Sequence, residues 1–209
     1  MTKNILILGS SSPLGFEVVN QLLPLPEVNI IAFDRGKAGI QYPQGVCHII
    51  GDATNEDDLK DALKNIDTVF STLGPFSVEK FAHPVVKVMT EEGVKRLFWT
   101  TEYQIFDKII SQKDIDLAAT FGFDEEIERS YVENQKLGAS IIQNSNLNYT
   151  LLLAHFFEYK DRIHKIYLNS IDEEIQGGPI SVVSFAKILA EMIYHDELYE
   201  YSAIKISGE

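Results

Sequence analysis

Cysteine occurs once, at Cys47, among 209 residues. A single thiol excludes an internal disulfide framework and any zinc site built on cysteine pairs. The apolar residues around Cys47 point to a buried, inert side chain. Positive charge is scarce: 18 Lys and Arg face 31 Asp and Glu, a formal net charge of −13. Attraction to phosphate supplies most sequence-independent affinity for nucleic acid and anionic lipid, so neither polymer is expected as a partner. Long apolar runs are missing as well. Ile5 to Leu8 is too short for a secretory core, and no segment approaches the roughly 20 apolar residues of a membrane span; a cytoplasmic location is expected. There is no nucleophile elbow, no Walker-type loop and no ligand spacing among His48, His83, His164 and His195. Hydrolase, phosphotransferase, thiol-redox and metal chemistry therefore find no support.

What is present is a composition of 45% hydrophobic and 23% charged residues, ordinary for a globular chain. The length fits one domain over residues 1–209, with about residues 155–209 completing its pocket. Short apolar runs alternate with amphipathic segments, the pattern of βαβ units and a parallel sheet. Strands are expected at Asn4 to Leu8, Val28 to Phe33, Val46 to Ile50, Asp67 to Ser71 and Arg96 to Thr100, each apolar on both faces as if covered by helices on both sides. Helices are expected at Leu14 to Leu23, Glu56 to Leu63 and Glu79 to Glu92, the last closed by Gly93. A polar, irregular stretch runs from Glu102 to Gly122. A long helix from about Glu125 to Asn144, capped by Asp124, follows. A sixth strand is expected at Tyr149 to Leu153, then a mixed segment to Asn169, a helix from about Val183 to Tyr194 and a last strand near Ala203 to Ile206. The fold class is thus a Rossmann-like, doubly wound α/β sheet with helices on both faces and a small C-terminal segment on the substrate side. The acidic clusters at Glu56, Asp124 and Asp172 fall at helix starts or loops and read as solvated caps.

The most informative segment is Ile5-Leu-Ile-Leu-Gly9-Ser-Ser-Ser-Pro-Leu-Gly15, a strand that passes through small residues into an amphipathic helix. It resembles a dinucleotide-binding turn, in which unpaired backbone N–H groups and the helix dipole hold a pyrophosphate. Gly9 permits the tight turn and Gly15 the close approach of helix and strand. Ser12 stands where the middle glycine is expected; it can cap the helix, with Pro13 at the first helical position. The hydroxyls of Ser10 and Ser11 are candidate phosphate donors, and Leu14 completes the turn. About 20 to 25 residues further on, where this fold meets the adenosine ribose, stands Asp34-Arg35. The carboxylate favours a ribose 2′-hydroxyl and the guanidinium a 2′-phosphate, which leaves NAD against NADP open.

Four further segments are similar to atypical short-chain dehydrogenase/reductase proteins of the NmrA-like, NAD(P)H-binding kind. They are Gly51-Asp52-Ala53-Thr54 after the third strand, Ser71-Thr72-Leu73-Gly74 after the fourth, Lys95 to Thr101 with Ile105-Phe106-Asp107 at the fifth, and Ser145 to Leu152 at the sixth. The resemblance implies a bound NAD(P), with Asp52 and Ala53 beside the adenine, Ser71 to Gly74 beside the nicotinamide ribose, Thr100 and His155 among the cofactor-binding residues, and the C-terminal segments closing a pocket over it. Its departures matter. Active members pair a proton-donating tyrosine with a lysine at i+4, on the same helix face. Here Tyr131 is followed at that spacing by neutral Gln135, and Lys136 is rotated about 100° further round the helix. A neutral amide cannot stabilise a phenolate as a cation does. The candidate catalytic residues are Thr101, Tyr131 and Lys136, with Glu102 where a second serine is expected. The family's Arg-Pro after the sixth strand is replaced by Leu153-Ala154, leaving His155, Phe156 and Phe157 at the expected pocket mouth.

Three functions compete. One is an NAD(P)H-dependent reductase transferring hydride to a carbonyl, quinone or flavin-like small molecule. The second is a non-catalytic NAD(P) sensor, favoured by Gln135. The third, an epimerase or dehydratase, needs an active tyrosine and is weakened by the same residue. The sequence leaves a homodimer or a protein partner open.

Overall fold

A computed structural model describes residues 2–107, 109–195 and 197–209. In chain order its elements are β1 (Lys3–Leu8), α1 (Pro13–Leu22), β2 (Val28–Asp34), β3 (Val46–Ile50), α2 (Glu56–Ala62), β4 (Thr68–Ser71), α3 (Glu79–Glu92), β5 (Arg96–Glu102), α4 (Gln112–Thr120), α5 (Glu125–Gln143), β6 (Asn148–Ala154), β7 (Phe157–Glu158), β8 (Ile166–Ser170), β9 (Ile180–Ser181), α6 (Val182–Tyr194) and β10 (Ser202–Gly208). Among the described residues eight strands form one sheet in the order β3-β2-β1-β4-β5-β6-β10-β8. All its pairings are parallel except β10 with β8. This is the Rossmann-like α/β architecture the alternating pattern calls for.

Strand periodicity explains the two layers. Successive side chains point to opposite faces, so Leu6 and Leu8 enter one core while Ile5 and Ile7 enter the other. The first core packs strand residues such as Val69, Leu97, Trp99 and Leu151 against α2, α3 and α5 through Leu59, Val85, Val88, Met89, Ala139 and Ile142. The second packs Phe70, Phe98 and Leu152 against α1 and α6 through Val18, Leu22, Phe185, Leu189 and Ile193. From β1 the chain winds to β2 and β3, then crosses back to place β4 on the other side of β1. Where winding reverses, the loops leaving the carboxyl ends of β1 and β4 diverge and open a crevice, the usual ligand site of such sheets.

Three expectations need correction. The β3 strand is an edge strand, and Cys47 on it is exposed rather than buried; an edge strand lacks the covering layer that local hydrophobicity implies. The polar stretch after β5 contains a helix, α4, whose N-cap Ser111 accepts a hydrogen bond from the Asp114 amide. The mixed segment before Asn169 holds β7 and most of β8, the antiparallel strand that extends the sheet beyond β10. No helix among the described residues is long and apolar enough to cross a membrane.

Candidate active site

The glycine turn folds as its residue types require. Gly9 has φ +80°, a left-handed conformation that costs glycine nothing. Ser12 is the N-cap of α1 and accepts a 2.9 Å hydrogen bond from the Gly15 amide, with Pro13 at the first helical position. A Cβ on Gly15 would lie 2.5 Å from the Gly9 carbonyl oxygen and 2.8 Å from Ser10 Cα, so only glycine lets α1 sit this close to β1. Several amides of the turn are committed internally. Gly9 and Ser10 both donate to the Phe33 carbonyl, and Ser12 donates to Gly9. The amides of Ser11 and Leu14 donate to no protein acceptor among the described residues. Two free donors at the positive end of a helix dipole are what a pyrophosphate needs.

The ribose end of the turn is organised differently from the simple expectation. Asp34 is buried, and its Oδ2 accepts hydrogen bonds from Ser10 Oγ at 3.0 Å and the Tyr42 hydroxyl at 2.6 Å, with His48 Nε2 at 3.0 Å. Its Oδ1 accepts from the amides of Gly36 at 2.7 Å and Lys37 at 3.4 Å. Burial alone would raise this carboxyl; the hydrogen bonds from Tyr42, Gly36, Ser10 and Lys37 outweigh it and hold the group below the usual range. The Ser10 hydroxyl is therefore turned to Asp34 and away from the phosphate position. Arg35 and Lys37 are exposed; Lys37 lines a shallow depression with Ser11, Phe16 and Gln41 among others, and Arg35 acts on Asp52 through its charge. Asp52 accepts from the Thr54 amide and hydroxyl, each at 2.9 Å, and Ala53 is buried next to it. Ser71 is buried, its Oγ accepting from the Leu73 amide at 3.3 Å.

A cavity of about 400 Å3 joins the turn to the rest of the crevice. Ser12, Pro13 and Leu14 form one end, Thr72, Leu73 and Gly74 the side under β4, and Thr100, Thr101 and Glu102 the floor at the end of β5. Tyr131, Gln135 and His155 also line it, together with an aromatic wall of Phe121, Phe123, Phe156, Phe157 and Tyr159. Phe121 and Phe156 stack at 4.9 Å, and Tyr131 meets Phe123 edge-on at 5.7 Å. Phe121, Phe123 and Tyr159 are additions to the expected lining; the aromatics around Gly122 are the available signal, but nothing local says that Phe121 after α4 stacks on Phe156 after β6.

Of the catalytic candidates, Thr101 and Tyr131 come together at the cavity and Lys136 does not. Lys136 forms an ion pair with Glu133 at 2.9 Å. Gln135, in the position a catalytic lysine would take, is buried; its Oε1 accepts from Thr101 Oγ1 at 2.9 Å and its Nε2 donates to the Pro75 carbonyl at 2.7 Å. It thus ties β5 and the loop after β4 to α5. Burial, with Glu102 and Glu128 nearby, pushes the Tyr131 phenol well above its ordinary 10. His155 is buried and stacked on Tyr103 at 4.3 Å, and burial lowers it to about 4, so the imidazole is neutral at pH 7. Its Nδ1 accepts from the Phe156 amide at 2.8 Å, which leaves the ring proton on Nε2. Thr100 Oγ1 is buried without a protein partner among the described residues. These features fit a dinucleotide laid across the switch point: free amides for the diphosphate, a glycine that permits close approach, and an unsatisfied hydroxyl in the cavity beyond. Among the described residues no cluster of His, Cys, Asp or Glu could hold a metal ion.

Fold and turn together define a Rossmann-type nucleotide-binding protein. The sequence pattern described as NAD(P)H-binding matches residues 9–196, and the chain belongs to that family. No curated protein matches. Among solved structures it is similar to a Rossmann-fold NAD(P)-binding family protein from Shigella flexneri, with TM-score 0.81 and 25% identity, covering 100% of this chain and 94% of that one. A wide-type short-chain dehydrogenase/reductase from Veillonella parvula, solved in complex with NADP, gives TM-score 0.83 at 18% identity, covering 99% and 95%. An anaerobillin reductase from Escherichia coli O157:H7 gives 0.76 at 18%, covering 99% and 97%.

Proposed function

We propose that this chain is an NADPH-dependent reductase of a planar, conjugated carbonyl or quinone, within the NmrA-like branch its motifs resemble. The observation that carries the reading is the continuity of the cavity: it runs from the dinucleotide turn at Ser12 to Leu14, past Thr100 and Thr101, to a wall of stacked aromatic rings. When bound, the cofactor supplies hydride from its dihydronicotinamide. The amides of Ser11 and Leu14 hold its diphosphate, and Phe121, Phe156 and His155 give a flat acceptor a surface on which to stack and exclude water.

The preference for the 2′-phosphate rests on Asp34. Its two oxygens are already taken by five donors, so it does not present a free carboxylate to a 2′-hydroxyl, while Arg35 and Lys37 just after it are exposed. Fluorescence titration tests this: NADPH should bind about 10-fold more tightly than NADH, about 1.4 kcal/mol, and Lys37→Ala should erode the difference. Equal or NADH-favouring affinities would overturn the preference.

Oxidation of NADPH with a panel of quinones and aromatic aldehydes tests the activity. A sensor of NmrA type is the second reading, favoured by Gln135 in the lysine position. Tight NADPH binding without turnover of any acceptor would select it.

A further inference from the structure

The floor of the cavity carries an acid for which the tyrosine-lysine scheme has no use. Glu102 ends β5 and is 4% exposed, yet it lines the cavity. Its Oε1 accepts from the Tyr103 amide at 3.0 Å. Among the described residues no lysine or arginine pairs with its carboxyl. Its charged neighbours are acids: Glu128 on α5 and Asp114 on α4. Glu128 is fully buried, and neither of its carboxyl oxygens has a hydrogen-bond partner among the described residues. Tyr103 at the turn after β5 donates its hydroxyl to Asp114 at 2.7 Å and accepts from Gln104 Nε2 at 2.7 Å. That bond gives Asp114 a partner and gives Glu102 none. Tyr131 from α5, neutral His155 after β6 and Tyr159 also line the cavity, and Lys113 on α4 acts on His155 through its charge.

We propose that Glu102 is the proton donor of this site, a neutral carboxylic acid that protonates the acceptor oxygen as hydride reaches the acceptor carbon, with Glu128 as the positioning acid behind it. The inference rests on the reductase reading above and replaces its missing tyrosine-lysine pair. Two buried carboxyls that repel each other do not readily both ionise. Burial and repulsion from Glu128 push Glu102 well above its ordinary 4.5, and burial with Asp114 nearby brings Glu128 up to about 7. The phenol of Tyr131 begins at 10 and is pushed up by the same surroundings without a cation to bring it down. Both are raised, the carboxyl from an ordinary 4.5 and the phenol from 10, and the carboxylic acid is the donor assigned at the cavity floor.

The balance is complete. The acceptor C=O gains a C–H bond from the hydride of the dihydronicotinamide, whose ring leaves oxidised. The carbonyl π pair becomes an oxygen lone pair and takes the proton as the Glu102 O–H bond breaks. Glu102 is left as carboxylate, and repulsion by its acidic neighbours favours its reloading from solvent once product departs.

The experiment compares wild type with Glu102→Gln, Glu102→Asp and Glu128→Gln, each first checked for its thermal midpoint and NADPH affinity. Infrared difference spectra of the cofactor-free protein across a pH titration should show carboxylic-acid carbonyl intensity at pH 7, of which one component is lost in Glu102→Gln and the other in Glu128→Gln. With NADPH and an aromatic aldehyde, Glu102→Gln should lose at least about 100-fold in kcat with KM and NADPH affinity within about twofold. Glu102→Asp should recover part of the loss. The wild-type kcat should fall as pH rises through the titration of the pair, and Glu128→Gln should shift that fall. Carbonyl intensity unchanged by Glu102→Gln, or a Glu102→Gln variant with wild-type kcat, overturns the donor role while NADPH binding stands. Failure of wild type to reduce any aldehyde despite binding NADPH also overturns it. Failure to bind NADPH at all overturns the reductase reading itself, by a different measurement. Should Glu102→Gln not fold, the infrared band and Glu102→Asp still decide.

Discussion

Replacing Gly15 with alanine adds one methyl group at the tightest contact in the nucleotide turn. The new Cβ would lie 2.5 Å from the Gly9 carbonyl oxygen and 2.8 Å from Ser10 Cα. Both are backbone atoms, so no side chain can swing aside, and the first turn of α1 must move away from β1. Overpacking of this kind costs about 1–3 kcal/mol, offset by about 1 kcal/mol because alanine is the better helix former. The net loss is about 0–2 kcal/mol, which at about 2–4 °C per kcal/mol for a chain of this size lowers Tm by up to about 8 °C. Function should suffer more than stability, because the displaced turn carries the amides of Ser11 and Leu14. NADPH affinity should fall at least about 10-fold, about 1.4 kcal/mol. Gly178→Ala is the control, since no heavy atom lies within 4 Å of its added Cβ; its stability should stay within about 0.5 kcal/mol of wild type. Differential scanning fluorimetry and cofactor fluorescence give both numbers. A Gly15→Ala protein with unchanged Tm and unchanged affinity would refute the claim that close approach at this glycine builds the phosphate site.

Gln135→Ala should cost about 1–3 kcal/mol in urea unfolding, because it strips the Thr101 hydroxyl and the Pro75 carbonyl of their partner; a neutral result would show that water replaces the amide freely. The folded-state value of His155 is about 4 against 6.5 when exposed, so the unfolded chain binds the extra proton. Stability from this residue is therefore complete above pH 6.5 and lost as pH falls toward 4, by about 3 kcal/mol. Because Glu102 and Glu128 are raised and have the opposite slope, the measurement is the difference between wild type and His155→Gln at pH 7 and pH 4.5; equal slopes would contradict the burial of a neutral ring. Cys47 on the exposed edge strand should react with a thiol reagent in the native protein without lag; reaction only after unfolding would place β3 inside the sheet.

Much of the nucleotide half was legible because its signals are local. Alternation of apolar residues marks strands, Ser12 and Pro13 mark a helix start, and the interval from Gly9 to Asp34 is set by one βαβ unit. The functional half was less so. Glu102 was visible as a departure from the usual serine, yet its neighbours Glu128 and Asp114 lie 26 and 12 positions away in the chain and meet it only because α4 and α5 pack against the end of β5. Ser10 and Asp34 each match an expected position in the pattern, and only their hydrogen bond at 3.0 Å shows that both are turned inward.

By itself the sequence determined a parallel sheet, its first crossovers and a turn suited to a dinucleotide, since backbone preferences and hydrophobic period act over a few residues at a time. Tertiary structure alone decided which strand is the edge, which aromatics wall the cavity and which carboxyls face each other. Those depend on burial and through-space charge, and both are fixed by segments that are distant in the chain and adjacent in the fold.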